Sequence, residues 1–361
     1  KPFSFHLLTN NFITIYIYIY IYVLQMAILR LTQDLAWIEE VLNAGKGIKG
    51  LNDIKLRKSG TPLTTMDKFF HTKMNEYIVD SDQYYSRQQF KNALKACFYE
   101  MGNARNQYVN YHKLANLSMH EDVLKRFIDV YVIMLSPICS HWCEYVWMDV
   151  LGNTTSITKA LWPETVEMDI VVMQIQKYVM DTIDSFRKSL APPKKKKKKK
   201  KKKGGADAAP EKPYVKPTQA YVYVGLTYAP WRIELLELLT NIYNDNDQSF
   251  PKTSIKQLMP MVQKSEQLKA EGKMLMKVAA FIINEVKVVG PNALLPKLPF
   301  DEIEILKENK QYMEKSLELK NGFEIFLNTA SEDELKKVEG MKSDLIENAL
   351  PGKPTIVGFA P

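Results

Sequence analysis

Catalytic signatures are what this 361-residue chain most clearly lacks. It holds no G-x-G-x-x-G, no P-loop, no G-x-S-x-G and no H-E-x-x-H, so no local motif points to dinucleotide, phosphate-loop, hydrolase or zinc-protease chemistry. Its five histidines (His6, His71, His112, His120, His141) are scattered among predicted helices and converge on nothing. The carboxylate pairs Glu39–Glu40 and Asp301–Glu302 read as solvated faces or helix starts, where negative charge favours the helix dipole. Cysteine is scarce: Cys97, Cys139 and Cys143 are an odd set without a disulfide pattern, which favours a reducing compartment. Cys139, His141 and Cys143 form C-x-H-x-C. On a helix the outer two share a face, the histidine points away and no fourth ligand is evident, so no metal site is expected. A basic surface is missing too. The net charge is +8, but ten lysines, Lys194 to Lys203, stand in one run, and ten taken from +8 leave −2. Any nucleic-acid face must therefore be a local patch.

What is present is helical periodicity from Leu31 to Phe186. Leu31, Leu35, Ile38 and Leu42 mark a first amphipathic helix. Phe90, Leu94, Cys97, Met101, Ala104, Tyr108 and Tyr111 step by four and three along a second, placing Lys91, Lys95 and Arg105 off the apolar seam. A third runs through Val123, Phe127, Val130 and Met134 and breaks near Pro137. A fourth covers about 140–151 and stops at Gly152. A fifth buries Val172, Ile175, Val179, Ile183 and Phe186. Five helices with modest connections predict a bundle over 26–190.

Composition then shifts. Residues 191–217, with the lysine run and several prolines, predict a mobile linker. It reads either as a non-specific attractor of RNA phosphate or as a solvated low-complexity insert. Beyond it, 218–361 predicts a small α+β unit. Ala220–Leu226 is a strand candidate, and Pro230 opens a helix carrying Leu235, Leu236 and Leu239. Another helix covers about 271–289 and a charged one follows Pro299. Gly322–Ala330 and Pro354–Ala360 predict two more strands. A closing edge strand would leave unpaired backbone groups, which suggests a truncated unit.

The helical half resembles the anticodon-binding domain of class I aminoacyl-tRNA synthetases. The resemblance rests on Pro137, His141, Glu144 and Trp147 after an apolar helix, and on the Trp162–Pro163 turn. Within the class it resembles the leucyl-tRNA synthetases of eukaryotic cytosolic and archaeal type. The segments 27–41 and 82–108 carry that likeness, as do the turn at Tyr228–Trp231 with Pro230, the helix start at Phe300–Asn309 and the Pro351–Pro354 turn, in one order. Ser140 and Ala229 stand where the family usually has proline, and the lysine run is longer than expected. Coverage is about 26–361. The resemblance implies a mainly α fold, a class I anticodon-binding bundle followed by a small α+β region. It also implies a parent reaction in which ATP, with Mg, activates leucine, and leucine passes to tRNA-Leu in the cytoplasm. The two ATP-holding motifs of the family, His-Ile-Gly-His and Lys-Met-Ser-Lys-Ser, are absent. The expectation is a tRNA-docking fragment that carries no cofactor or metal itself and is inactive alone.

The run from Ile15 to Tyr22 repeats Ile-Tyr four times and lies outside the resemblance. Residues 12–29 are uncharged to about the length of a bilayer span. A signal peptide would want an initiator methionine and a basic start. A repeated AT dinucleotide encodes Ile-Tyr without stops, so 1–25 reads as translated intron or disordered chain. A membrane tether remains open if the run is genuine. A non-catalytic scaffold in an assembly with other synthetases is the other alternative. Lys95, Arg105 and Arg126 are the candidate tRNA contacts, by Lys/Arg placement against phosphate. Pro137, His141, Glu144, Trp147, Trp162, Pro163, Pro230 and Trp231 are taken as structural members of the family motifs.

Overall fold

The computed structural model describes residues 25–48, 54–166, 169–192, 215–226, 228–246, 249–251, 254–327 and 349–359. The Ile-Tyr tract, the lysine run and the end of the strand expected to Ala330 lie outside them. The fold is mainly helical, with small sheets, and divides into two compact units. The first comprises residues up to 168 except 113–116, and the second comprises 113–116 and 169–361.

The first unit is built from helix α1 (residues 25–45), α2 (Thr65–Ser86), a long run of α3 (Phe90–Leu94), a π stretch (Lys95–Glu100) and α4 (Met101–Ala115), then α5 (Glu121–Leu135) and α6 (Ser140–Tyr145), which passes into a second π stretch (Val146–Val150). The strands β1 (Leu56–Arg57) and β2 (Met119–His120) form one parallel pair. The core is an aromatic column. Phe70 stacks on Tyr108 at 4.7 Å, and Phe127 stacks on Tyr131 at 5.4 Å. Rings so placed add about 0.5–1.5 kcal/mol per pair beyond their burial.

Helix α2 had no separate place in the sequence reading. Its N-terminus is a capping box: the Thr64 hydroxyl accepts from the Asp67 N–H, and the Asp67 carboxylate accepts from the Thr64 N–H at 2.7 Å. Its buried side mixes Met66, Phe69, Phe70, Met74 and Ile78 with Asp67, Thr72, Asn75 and Ser81, which blurs the apolar stripe. The remaining expected helices stand. Val123, Phe127, Val130 and Met134 are all buried, and Gly152 ends the fourth run at φ +78°.

The second unit opens with α7 (Ile170–Leu190), capped by Asp169. This is the fifth helix expected in the bundle. Its apolar face, Val172 to Phe186, instead packs against α11 (Glu302–Glu308), α12 (Lys310–Leu317) and β5 (Thr355–Phe359). Strand β3 (Gln219–Val224) lies between β4 (Phe323–Leu327), parallel to it, and antiparallel β5, in register Gln219↔Phe359. Helices α8 (Pro230–Asp245), α9 (Ser254–Val262) and α10 (Glu266–Val289) form a separate apolar core around Leu235, Leu239, Leu258, Leu268, Leu275 and Ile282. Pro230 sits in the first turn of α8 as expected, and α10 ends at Gly290 with φ +83°.

Candidate nucleic-acid interface

Buried ion pairs organise the first unit. Asp67, fully buried, accepts from Tyr108 Oη at 2.6 Å and from the Arg57 guanidinium, besides Thr64. Burial pushes its pKa up, but the hydrogen bonds of Tyr108, Arg57 and Thr64 outweigh it and hold the carboxyl below its ordinary value. His112 Nδ1 donates to the Tyr108 carbonyl at 2.9 Å, and burial depresses its pKa. His120 caps α5 by accepting from the Asp122 N–H, with Nε2 3.0 Å from the Thr61 carbonyl oxygen. These histidines are structural.

The three candidate contacts fall in different settings. Arg105 is buried. It donates to Asp34 Oδ1 at 2.7 Å and lies 4.8 Å from the Trp37 ring, while Tyr131 donates to the other Asp34 oxygen at 2.7 Å. The expectation that it lies off the seam is corrected: four residues after Met101 and three before Tyr108, it shares their face. Arg126 is half-buried and donates to Asn75 Oδ1 at 2.8 Å and the Glu164 carbonyl at 3.2 Å. Lys95 is exposed, on the π stretch, 3.7 Å from Glu100. Arg87, at the C-terminal end of α2, and Lys91, on α3, are likewise exposed, as are Phe90 and Tyr99.

Two of the family-motif residues, Glu144 and Trp147, fasten a loop. Glu144 Oε2 accepts from the Ile157 N–H at 3.0 Å and from Ser156 Oγ at 3.1 Å, while Trp147 Nε1 donates to the Thr155 carbonyl at 2.9 Å. Three residues apart on one face, they tie the loop after Gly152 to the helix. Trp162 meets Tyr85 edge-on at 5.9 Å, ahead of Pro163. Pro137 follows the end of α5, and His141 is exposed on α6 beside buried Cys143 and half-buried Cys139. In the second unit Pro230 and Trp231 open α8. Burial raises the pKa of all three thiols, Cys97 to about 11, so they are poor nucleophiles. Among the described residues no cluster of His, Cys, Asp or Glu has the geometry to hold a metal, and no helix is long and apolar enough to cross a membrane.

Residues 67–203 match the family described as the anticodon-binding domain of tRNA ligase. Over 336 residues the chain is 33% identical to the cytoplasmic leucine–tRNA ligase of Arabidopsis thaliana, covering 92% of this chain and 29% of that protein. The chain is homologous to the leucine–tRNA ligases. The cytoplasmic enzyme of Pongo abelii is 30% identical over 91% of this chain and 25% of its own length. That of Dictyostelium discoideum is 30% identical over 81% and 26%. The chain thus spans between a quarter and a third of the length of these three relatives. The ligase-family match takes in Lys95, Arg105 and Arg126, the Glu144–Trp147 fasteners and helix α7.

Proposed function

We propose that this chain is a tRNA-docking part of a cytoplasmic leucine–tRNA ligase, with tRNA-Leu as its partner. The observation that carries the reading is the anticodon-binding match over 67–203 within a likeness that runs along 92% of the chain. Contact is made through phosphate rather than base edges, as the exposed cations Arg87, Lys91 and Lys95 would allow. Of the initial candidates, Lys95 has the exposure this needs. Arg126 offers the edge of a guanidinium already held by Asn75, and Arg105 supports the fold from within. The parent reaction needs ATP, Mg and leucine; this chain supplies RNA docking and no active site.

The test is binding of tRNA-Leu against other tRNAs across a salt series. The wild-type chain binds tRNA-Leu preferentially. The triple change Arg87→Ala, Lys91→Ala, Lys95→Ala weakens binding and flattens the dependence of log K on log salt by roughly two to three phosphate contacts. Equal affinity for all tRNAs would sink the reading. So would leucine-dependent ATP–pyrophosphate exchange by the purified chain.

A further inference from the structure

The second unit contains a cleft of about 460 Å³ walled by α7, α8, α10 and the turn Pro351–Pro354. Its volume is in the range of small-molecule sites, which run to about 300–1,000 Å³. Its charged lining is unbalanced: Lys177, Arg232, Lys297 and Lys353 face only Asp181 and Glu285. Glu285 is already engaged by Lys177 at 3.4 Å. Among the described residues neither Arg232 nor Lys353 meets a carboxylate at ion-pair distance. Each sits on an aromatic ring instead, Arg232 at 4.4 Å from the Tyr228 centroid and Lys353 at 4.1 Å from that of Phe281. Arg232 Nε is buried without a hydrogen-bond acceptor.

The cleft is held in shape. Buried Glu302 accepts from the Gly352 N–H at 2.9 Å and from Tyr178 Oη at 2.7 Å, and Tyr228 Oη donates to the Pro351 carbonyl at 3.2 Å. These bonds fix the turn that carries Lys353. The walls between the cations are apolar and partly aromatic, from Leu236, Phe281, Leu298 and Phe300.

We propose that this cleft binds a nucleoside monophosphate unit, with its phosphate on Arg232 and Lys353 and its base against the aromatic walls. A guanidinium fork and a lysine point charge together suit a phosphate. The surplus of two positive charges in the lining matches a phosphomonoester dianion rather than a single carboxylate. The space left beyond a phosphate fits a planar base, and Ser185 on the α7 wall offers a hydroxyl to the sugar. Burial depresses the pKa of both Arg232 and Lys353, and the Arg232 charge lowers that of Lys353 further, so an arriving anion relieves an existing cost. The same chemistry could come from a free nucleotide or from a nucleotide of a bound RNA.

Calorimetric titration of the full chain with AMP, GMP, CMP, UMP and inorganic phosphate tests the site. Saturable binding of at least one nucleotide, tighter than inorganic phosphate, is expected. Arg232→Gln and Lys353→Gln each weaken it by about tenfold, the scale of one charge-assisted hydrogen bond. Circular dichroism checks the fold of both variants. Competition by tRNA, with weaker tRNA binding by Lys353→Gln, assigns the unit to RNA; no competition assigns it to a free nucleotide. No saturable nucleotide binding, or folded variants that bind as the wild type does, overturns the site. Because free nucleotides are titrated directly, the outcome is independent of whether the first unit docks tRNA.

Discussion

At the residue scale, the buried carboxylates Asp34 and Asp67 do for the first unit what apolar contact alone would not: they fix which helix faces meet. Asp67 ties α2 to α4 through Tyr108 and to β1 through Arg57. Its pKa is lowered from 3.8, so the stability it contributes is complete above that value and is lost as pH falls through the lower folded value. Burial lowers the pKa of His112 and His71 from 6.5. A depressed histidine also contributes above its unfolded pKa, so stability begins to fall as pH drops below 6.5. Thermal melts across that range should show two acid components. His112→Gln should reduce the upper one and leave the lower, and an unchanged upper component would assign it elsewhere. Asp67→Asn strands Arg57 and should cost about 3 kcal/mol, read by urea unfolding near neutral pH. Arg105→Ala is expected to act in the same way, by leaving Asp34 with one partner. It should lower stability more than it lowers the salt dependence of RNA binding. Arg105 was legible as a cation on the second helix but not as a buried one, because its partner Asp34 lies 71 residues away.

At the element scale, sequence periodicity carried α4, α5, α7 and α8, whose buried faces are mostly apolar, although α4 also buries Arg105 and His112 and α7 buries Gln176 and Thr182. It failed at α2, where Asp67, Thr72, Asn75 and Ser81 interrupt the stripe: Asp67 and Asn75 bond to distant partners, Thr72 donates to the Lys68 carbonyl one turn back, and Ser81 Oγ is buried without a hydrogen bond. Phe90 marks another limit: as the first residue of α3 it is exposed rather than on the seam. Strand β3 was legible from its β-branched and aromatic run, but its parallel pairing with β4 was not, since pairing depends on distant chain. Gly225, just past β3, lies so close to the Ala349 carbonyl that a side-chain carbon there would collide with backbone. Gly225→Ala should lower the thermal midpoint of the second unit's near-ultraviolet signal, by an amount equivalent to about 1–3 kcal/mol of overpacking. The Glu144–Trp147 pair predicts a local effect instead. Glu144→Ala should raise amide exchange at Ile157, whose N–H loses its acceptor, while exchange in α5 stays slow.

At the scale of the whole molecule, charge is concentrated rather than spread. Ten of the cations stand in Lys194–Lys203, and without them the balance is slightly negative. Deleting that run should reduce affinity for any RNA at low salt and flatten the salt slope, while the preference for tRNA-Leu survives. A preference lost with the run would place selectivity in the run itself. The functional assignment was legible because several short motifs occur in one order, some of them with a structural task. Glu144 and Trp147 fasten a loop, and Pro230 starts a helix. The nucleotide cleft was not legible, because Arg232 and Lys353 come together only through the turn that Glu302 holds.

The three-stranded sheet sets a schedule for biosynthesis. Its middle strand, β3, emerges early in the second unit, yet one neighbour is β5, with Gln219 opposite Phe359. Until that late strand clears the ribosome, one full flank of β3 waits with its amides and carbonyls facing solvent. The long interval makes closure slow and leaves a sticky template on the nascent chain. Ribosome pausing shortly before Thr355 would therefore be the moment of greatest need for a chaperone.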